Sequence, residues 1–500
     1  MFFSLQTGWS PYIRWEISPD TQATFELQYR HSRDPLFFGI PTLGDRPADL
    51  PRERYLGEEP FSERKFDDVL FSFDWSHAFN DHWTLRHRFY AEWFEGSEKV
   101  VGPLFLDSDG RTLNRLFITD VFPGESYATS LDLTGKFDTW GLRHTLLSGV
   151  DYLTRPSEID PFIFRSFPSI DIFNPTHGGE IGLDPSADLF FSQHFEEYWY
   201  GFYLQDQVQL PYHFHLLAGF RYDNATSRFR ADFVPTADFQ TPSEKSEAED
   251  ESVNPRFGLL WQPVPELSLY GNYVENFGQS NLSSLGGGTQ LQPETAQQWE
   301  VGLKTELFDG RLTGTLAWFN LTKQNIATPD PFNPLFSRLT GEARNQGLEL
   351  DVAGEILPGW QVIGVYSYID SEITEDAEDE FGNPIGNQGN RFFNIPRHGG
   401  SLWTTYEIQQ GLFKGLKLGA GVVGRSEREG DNENSFQLPG YAIGNVLVGY
   451  ERKVGPSKVT VQLNVENLTD ETYFAGSEGG RTSTHFGAPR TFLGSVRVEF

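Results

Sequence analysis

The chain alternates hydrophobic and polar residues along many of its segments, with a period of two. Near the end of the chain, Phe492, Val496 and Phe500 fall on one side of such a segment, and Ser495 and Arg497 fall on the other. The same alternation recurs in the segments 69–75, 83–93, 299–307, 348–356 and 459–465. Successive side chains of a strand point to opposite faces, so this period predicts strands rather than helices. The segments reach roughly ten to fourteen residues, whereas a tilted membrane strand needs about nine to eleven.

Short and long connections alternate between these segments. The short ones are 18–20, 80–82, 211–212, 263–265, 309–310 and 358–359. The long ones fall at about 33–66, 95–123, 156–196, 227–250, 277–293, 326–340, 373–392, 428–436 and 470–487. Outer-membrane barrels have short periplasmic turns and longer extracellular loops, so the pattern predicts an all-β, transmembrane antiparallel barrel. Trp75, Trp83, Trp140, Trp261 and Trp360 lie near short turns, which indicates an aromatic girdle rather than a soluble core.

The number and direction of the strands predict that the barrel is incomplete. We count about nineteen strands, and the first, near 8–17, leads into a short turn. A bacterial single-chain barrel has an even number of strands and both ends in the periplasm, so an odd number should be missing upstream. Residues 1–7 have no basic segment followed by a long apolar stretch and do not form a signal peptide. We therefore expect residues 1–500 to be one N-terminally truncated barrel domain, whose last strand lacks its natural partner.

Composition excludes several classes of function. The formal charge of −31 argues against nucleic acid as a partner, since phosphate binding needs clustered Lys and Arg. The absence of Cys excludes disulfides, thiolate metal sites and cysteine nucleophiles. No catalytic constellation emerges, so we predict that the chain is not an enzyme. His213 and His215 share a strand face, and we interpret them as interfacial or lumen-facing polar residues rather than as metal ligands.

Two acidic runs, 244–251 and 375–380, have two possible interpretations. They could bind divalent cations at the lipopolysaccharide surface, but solvated loop tips are the more common explanation of such runs, and we favour it. The glycines at 286–288 have no Lys-Ser or Lys-Thr after them, so they predict a flexible loop rather than a phosphate cradle.

Several motifs resemble those of TonB-dependent siderophore receptors. They are PETAQQWEVGLK at 293–304, FNLTKQN at 319–325, GEARNQGLEL at 341–350, VENLTDETY at 465–473 and GAPRT at 487–491. The segments 143–152 and 201–207 look closest to the ferrichrome-type, hydroxamate branch of that family. The C-terminal signature, which we associate with barrel assembly, comprises Asn467, Leu468, Tyr473, Pro489, Arg490 and Phe500.

The resemblance implies a 22-stranded barrel with an N-terminal plug, of which the plug, the TonB box and about three strands would be missing here. It implies uptake of ferric siderophores across the outer membrane of a Gram-negative-type bacterium, driven by TonB and its inner-membrane energising complex. Further partners would be the barrel-assembly machinery and lipopolysaccharide or other outer-membrane lipid. The alternatives are a passive porin-like channel, a TonB-dependent receptor for cobalamin or a glycan, and a secreted all-β enzyme or adhesin.

Aromatic and amide side chains are the candidate substrate contacts. A ferric siderophore supplies its own iron ligands, so we expect neither a protein metal site nor a cofactor, only aromatic and hydrogen-bonding walls. The candidates are Tyr198, Trp199, Tyr200, Tyr270, Asn272, Asn276 and Phe277, together with aromatic residues of the loops. The strong negative charge should repel triply anionic catecholate complexes, so it favours neutral or cationic hydroxamate complexes.

Overall fold

The structure is a computed structural model that describes residues 4–179, 189–233, 244–278, 292–329, 337–376 and 386–499. These residues form twenty-six strands and two short 3₁₀ helices, Glu59–Phe61 and Pro211–His213. Within the described ranges, no helix is long and apolar enough to span a membrane.

The strands of the first half of the chain are β1 (Leu5–Trp9), β2 (Tyr12–Ser18), β3 (Thr21–Asp34), β4 (Thr42–Leu43), β5 (Arg46–Pro47), β6 (Glu63–Ala78), β7 (Trp83–Leu106), β8 (Thr112–Thr139), β9 (Leu142–Asp171), β10 (Leu189–Leu210), β11 (Phe214–Phe233) and β12 (Glu244–Val264). Those of the second half are β13 (Leu267–Phe277), β14 (Thr295–Leu307), β15 (Leu312–Pro329), β16 (Ser337–Leu357), β17 (Trp360–Glu375), β18 (His398–Glu407), β19 (Leu416–Arg425), β20 (Arg428–Glu429), β21 (Gln437–Leu438), β22 (Tyr441–Val454), β23 (Ser457–Glu466), β24 (Phe474–Ser477), β25 (Thr484–Phe486) and β26 (Thr491–Glu499).

Twenty strands form one antiparallel sheet in which sequence neighbours pair. β1 and β2 pair with successive parts of β3, through Trp9 opposite Tyr29 and Tyr12 opposite Glu26, so these two strands share one position. The twenty strands therefore occupy nineteen positions, which confirms the predicted number and the all-β fold class. The remaining six strands make three small hairpins within the loops, namely β4–β5, β20–β21 and β24–β25.

The two faces of the sheet differ in exposure as well as in polarity. In β14 the side chains of Trp299 and Val301 are 56 % and 58 % exposed, whereas the intervening Glu300 hydrogen-bonds to Tyr270 on β13 at 2.5 Å. In β12 the exposed side chains are again mainly apolar, among them Phe257 and Leu259. The exposed, apolar face is therefore the outer face that contacts lipid, and the polar face lines the lumen.

Aromatic residues mark both borders of the apolar face. Trp83 and Trp140 lie at short turns, and Trp140 is 98 % exposed with a left-handed backbone at φ 52°. At the opposite border, the Trp93 indole donates a hydrogen bond of 2.9 Å to the Tyr127 hydroxyl. Trp83 and Trp93 are ten residues apart in β7, which in a strand tilted by about 40° corresponds to a band of about 25 Å. This height matches the apolar band of an outer-membrane barrel.

Three of the predicted long loops, 95–123, 156–196 and 227–250, are mostly strand in the part of the chain that the structure describes. The predicted loop 95–123 is a ladder, since β7 continues to Leu106 and β8 begins at Thr112. β12 begins at Glu244, so the interpretation of the acidic run 244–251 as a loop tip is wrong. There, Arg228 bonds Glu247 at 3.1 Å and Asn224 bonds Glu249 at 3.0 Å. Pairing to β11 satisfies the hydrogen-bonding groups of the backbone, and the carboxylates of alternate residues face water on the outer side.

Of the second acidic run, only Glu375 and Asp376 lie within the described residues.

The two ends of the sheet meet at the long-loop side. Among the described residues, β26 pairs only with β23, and β1 and β2 pair only with β3. The loop after β3 nevertheless contacts the loops around β20–β21 and β24–β25. We call these contacts the clasp. Its backbone hydrogen bonds join Ile40 with Thr484, at 2.8 and 2.9 Å, and Thr42 N–H with Arg481 O, at 2.8 Å. Its side-chain contacts join Arg46 with Glu427 at 2.8 Å and Arg52 with Asp470 at 3.0 and 3.4 Å. Such contacts between opposite ends of the strand order require the sheet to curl into a barrel.

A positive charge on the outer face should destabilise the barrel. We expect Val301→Arg, near the middle of the apolar band, to lower the free energy of unfolding by about 2–4 kcal/mol in lipid vesicles. Gln298→Arg places the same charge on the lumen side of the same strand, beside Glu300, and should change it by less than about 1 kcal/mol. Urea titration followed by tryptophan fluorescence measures both values, and equal losses would contradict the assignment of the faces.

The clasp should weaken in acid. The hydrogen bond from Arg52, followed by that from the backbone of Arg490, holds the pKa of Asp470 below its usual value. Its contribution is therefore present above the carboxyl's unfolded pKa and is lost as the pH falls through the lower, folded pKa. We expect protease cleavage within 44–54 to increase as the pH falls below about 4. Asp470→Asn should be cleaved readily at pH 7 and show little further pH dependence, and an unchanged cleavage rate at pH 7 would contradict the role of this pair.

Candidate functional site

The long loops form a packed cap over one side of the barrel mouth. Its apolar core consists of Ile40, Ala48, Leu50, Leu56, Leu113, Ile170 and Ile172, all buried. These residues come from the loop after β3 and from the parts of β8 and β9 that extend beyond the membrane band. The cap is therefore a small core of its own, held above the membrane by extended hairpins.

A buried ion pair fixes the loop after β3 to this core. The Arg115 side chain is 1 % exposed and lies 3.0 Å from the Glu58 carboxylate, whose side chain is 3 % exposed. The Arg115 guanidinium also donates hydrogen bonds to the carbonyls of Leu56 at 3.0 Å and Pro168 at 2.9 Å. Burial lowers the pKa of Arg115, and Glu58 opposes this effect. One side chain thus connects the loop, β8 and the end of β9.

Two of the predicted substrate contacts meet at the barrel mouth. Trp199 lies eleven residues above the end of β10, and its ring centroid is 5.2 Å from that of Phe277, the last residue of β13. Trp199 shares the inner face of β10 with Tyr203, which bonds Asp132 of the lumen wall. The structure therefore brings together one aromatic residue from each of the two candidate segments.

Tyr198 and Tyr200 point the other way. They lie on the outer face with the exposed Phe202, and the Tyr200 ring is 4.9 Å from that of Tyr152 on β9. The Tyr198 hydroxyl donates a hydrogen bond to Glu196 at 3.2 Å, and the Arg228 guanidinium lies over its ring. Their level is that of Trp93 and Tyr127, so they contribute to the outer aromatic border.

Tyr270, Asn272 and Asn276 share the inner face of β13, as the alternation predicts, but they are spread along it. Tyr270 is three residues above the short turn and Asn276 is nine, which corresponds to about 20 Å between them. Tyr270 packs over Gly302, where a Cβ would overlap its ring, and Lys304 lies 4.9 Å from that ring. Tyr270 therefore lies near the periplasmic end, whereas Asn276 lies at the mouth.

Some aromatic residues of the loops are buried by packing, and others are exposed. Phe164 and Phe167 are buried, and Phe167 packs beneath the Arg115 guanidinium at 5.0 Å. Phe37 and Phe173 are exposed on the cap. The side chains of Phe162, Phe190 and Phe191 lie outside the described residues.

The C-terminal signature builds the connection between β23 and β26. Asn467 is buried, and its side chain bonds the backbone of Glu471 at 2.8 and 2.9 Å and the Ala488 carbonyl at 3.1 Å. Leu468 N–H donates to the Gly444 carbonyl, and the Tyr473 ring packs against that of Tyr441 with centroids 4.4 Å apart and planes tilted by 35°. Pro489 O accepts a hydrogen bond from Thr491, and Arg490 N–H donates to Asp470 at 2.9 Å. The signature thus lies on the side of the cap, next to the clasp, while Phe500 lies outside the described residues.

An inner-wall cluster was missed from the sequence. Phe66, Phe94 and Phe122 project from β6, β7 and β8 into the mouth, with ring centroids 5.6 and 6.4 Å from that of Phe66. The register places Gly96 opposite Phe122 and Gly124 opposite Phe94, where a Cβ would overlap the facing ring. The sequence did offer one signal of this cluster, a phenylalanine on the otherwise polar face of β7. Its significance depends on the residues that pair with it on β6 and β8, and the sequence does not show that pairing.

Among the described residues, no group of three His, Asp or Glu side chains is placed to hold a metal ion. The walls of the mouth instead offer aromatic rings, carboxylates and guanidinium groups, which suits an organic ligand held by stacking and hydrogen bonds.

Removal of the buried cation should loosen the cap. We expect Arg115→Met to remove the guanidinium from the buried Glu58, leaving only the His177 ring at 3.7 Å. This change should destabilise the cap by about 3–5 kcal/mol, seen as faster amide hydrogen exchange over 48–58. The double variant with Glu58→Leu should recover most of the loss, since an apolar pair replaces the ion pair. Glu53→Gln, at a side chain 78 % exposed, is the control, and exchange in Arg115→Met equal to that of the control would contradict this role.

Known proteins resemble the chain in sequence and in fold. The metal-pseudopaline receptor CntO of Pseudomonas aeruginosa is 32 % identical over 474 residues, covering 94 % of this chain and 64 % of that protein. The ferrioxamine B receptor of Salmonella typhimurium is 27 % identical over 500 residues, covering 98 % and 67 %. The crystal structure of the siderophore receptor PiuA from Acinetobacter baumannii superposes with a TM-score of 0.84 at 22 % identity, covering 99 % of this chain and 74 % of that one.

The chain spans about two thirds of the length of these relatives, 64 % in the case of CntO. The model of the family described as "TonB dependent receptor-like, beta-barrel" matches residues 8–468, which is most of the chain. The barrel fold and this match indicate an outer-membrane protein of a Gram-negative bacterium. The chain belongs to the TonB-dependent receptor β-barrel family.

Proposed function

We propose that the protein takes up ferric siderophores across the outer membrane by TonB-coupled transport, and that residues 1–500 form a single barrel domain within it. The observation that carries this proposal is the family match over 8–468, because the family's barrels serve active uptake through TonB. TonB with its inner-membrane complex, the barrel-assembly machinery and outer-membrane lipid are the partners that follow from the same membership.

The mouth supports an organic chelate as ligand. Trp199, Phe277 and the phenylalanine cluster supply stacking surfaces, and no described metal-ligand group competes for the iron. The chelate would lie between the cap and the lumen wall, with Asn276 as an amide contact. Tyr198 and Tyr200 face outward, so we assign them to the membrane border rather than to this ligand.

The net charge favours the hydroxamate class. At −31, the protein opposes the approach of a triply anionic ferric catecholate, while a neutral or cationic ferric hydroxamate meets no such barrier. A ferrioxamine B receptor is among the relatives and supports this choice. A second candidate is a metal complex of another organic chelator, since the relative with 32 % identity is a metal-pseudopaline receptor.

Ligand titration in detergent micelles tests the choice of class. We expect ferrioxamine B to quench tryptophan fluorescence with a Kd at least about tenfold lower than that of a triply anionic ferric catecholate at low ionic strength. Trp199→Phe should reduce the amplitude of quenching, whereas Trp140→Phe, at the periplasmic turn, should not. Equal affinities for the two complexes would overturn the hydroxamate assignment, and the absence of binding by either would overturn the siderophore site.

A further inference from the structure

The inner wall at the barrel mouth carries a regular pattern of rings and charges across three adjacent strands. β6, β7 and β8 align Asp68, Phe94 and Gly124 in one row, Phe66, Gly96 and Phe122 in the next, and Arg64, Glu98 and Asp120 in the third. We call Phe66, Phe94, Phe122, Glu98 and Asp120 the mouth patch. Phe94 is eleven residues above the start of β7, so the patch lies at the level of the outer aromatic border and just above it.

The carboxylates of the mouth patch form a like-charge pair. Glu98 and Asp120 are directly opposite each other in the ladder, an arrangement that normally destabilises a sheet. Arg64 neutralises Glu98, with hydrogen bonds of 2.7 and 3.0 Å. Asp120 is 7 % exposed, and its Oδ1 has no hydrogen-bond partner among the described residues. The backbone of Glu98 donates a hydrogen bond to this carboxylate, but Oδ1 stays unbonded. A buried carboxylate oxygen without a donor is costly, so this atom could accept one further positive or hydrogen-bond-donating group.

The surroundings of Asp120 make its charge depend on pH near neutrality. Burial, and then the facing Glu98, raise the pKa of Asp120 to about 7, while Arg64 on β6 opposes the shift. On the other side of Asp120, the β8–β9 ladder is interrupted between Thr119 and Gly124. At neutral pH the carboxyl is therefore close to the midpoint of its titration, and a cation placed next to it would favour the ionised form.

The rings of the mouth patch suit a cation with an apolar stem. The Arg30 guanidinium already lies 5.5 Å from the Phe66 centroid, which shows that these rings accept a cation on their faces. The missing side chains of Gly96 and Gly124 let the rings of Phe122 and Phe94 lie against the facing strands, where a Cβ would overlap them. Aromatic faces beside two carboxylates form a common recognition surface for organic cations.

We propose that the mouth patch binds the positively charged arm of the ligand, an ammonium or guanidinium group on an aliphatic stem, with the charge at Asp120 and the stem on Phe94 and Phe122. This assignment rests on the proposed function and deepens it, since it selects cationic chelates among the neutral and cationic ones. Binding of the cation displaces the proton from Asp120, so affinity rises with pH.

Ferrioxamine B, a linear chelate with a pendant primary amine, and its N-acetylated, uncharged form make a matched pair of probes. We expect the amine form to bind the whole chain more tightly than the acetylated form at pH 8, and its Kd to fall by about tenfold from pH 6 to pH 8, following ionisation of a group with pKa near 7. The acetylated form should show no such pH dependence. Equal affinity of both forms at every pH would overturn the assignment of the mouth patch while leaving the siderophore site intact.

Substitutions in the mouth patch localise the effect. Asp120→Asn should abolish both the preference for the amine form and its pH dependence, while the acetylated form keeps its Kd. Glu95→Gln, at an exposed outer-face carboxylate three positions from Glu98 on β7, is the control and should change neither. Retention of the preference in Asp120→Asn would contradict the proposal.

A third measurement tests cation binding at the mouth patch independently of siderophore binding. Hexylammonium, which carries the charge and the stem without any metal, should lower the midpoint of the Asp120 titration, followed by carbon NMR of labelled aspartate. If neither chelate binds, the proposed function fails, and the shift with hexylammonium still decides on the mouth patch. The absence of any shift at saturating hexylammonium would overturn it.

Discussion

Pairing of the backbone in a medium without water governs the architecture of this protein. Inside the hydrocarbon region every N–H and C=O group must find a protein partner, and the antiparallel ladder from β1 to β26 provides one for each interior strand. The ladder in turn forces side chains to alternate between lipid and lumen, which produces the exposed Val301 next to the bonded Glu300. The apolar outer face and the polar inner wall are both consequences of that alternation, whereas the aromatic borders mark where the outer face meets the two membrane–water interfaces.

The same ladder continues above the membrane, where it serves another purpose. In β7, β8 and β9 the ladder extends beyond the outer aromatic border, where it carries polar and charged side-chain pairs. This extension supports the cap. The Arg115–Glu58 pair then fixes the loop after β3 to this extension. Because both charges are buried, removal of either partner leaves the other without its main compensation. The ladder, its extension above the membrane and the cap together position the rings and carboxylates of the mouth. The site therefore depends on backbone pairing in strands that lie outside it.

Much of this fold follows from the sequence, because period-two alternation and turn residues are local signals. The number of strand positions, the short turns such as Pro358–Gly359 and the inner placement of Tyr270 all agree with that pattern. The extent of the hairpins does not follow, since Glu247 and its neighbours look like a solvated loop until Arg228 and Asn224 are found opposite them. The mouth patch depends on register between β7 and β8, a relation between distant segments that no single-segment pattern contains.

The clasp joins residues that are very far apart in the chain. Arg52 and Asp470 are separated by 418 residues, so their contact cannot form until nearly the whole sheet has been assembled. Contacts of such long sequence separation are late events in folding, because the entropy of closing the intervening chain is lost before they are gained. The clasp is therefore among the last contacts to form, and its presence indicates that the two ends of this sheet have met.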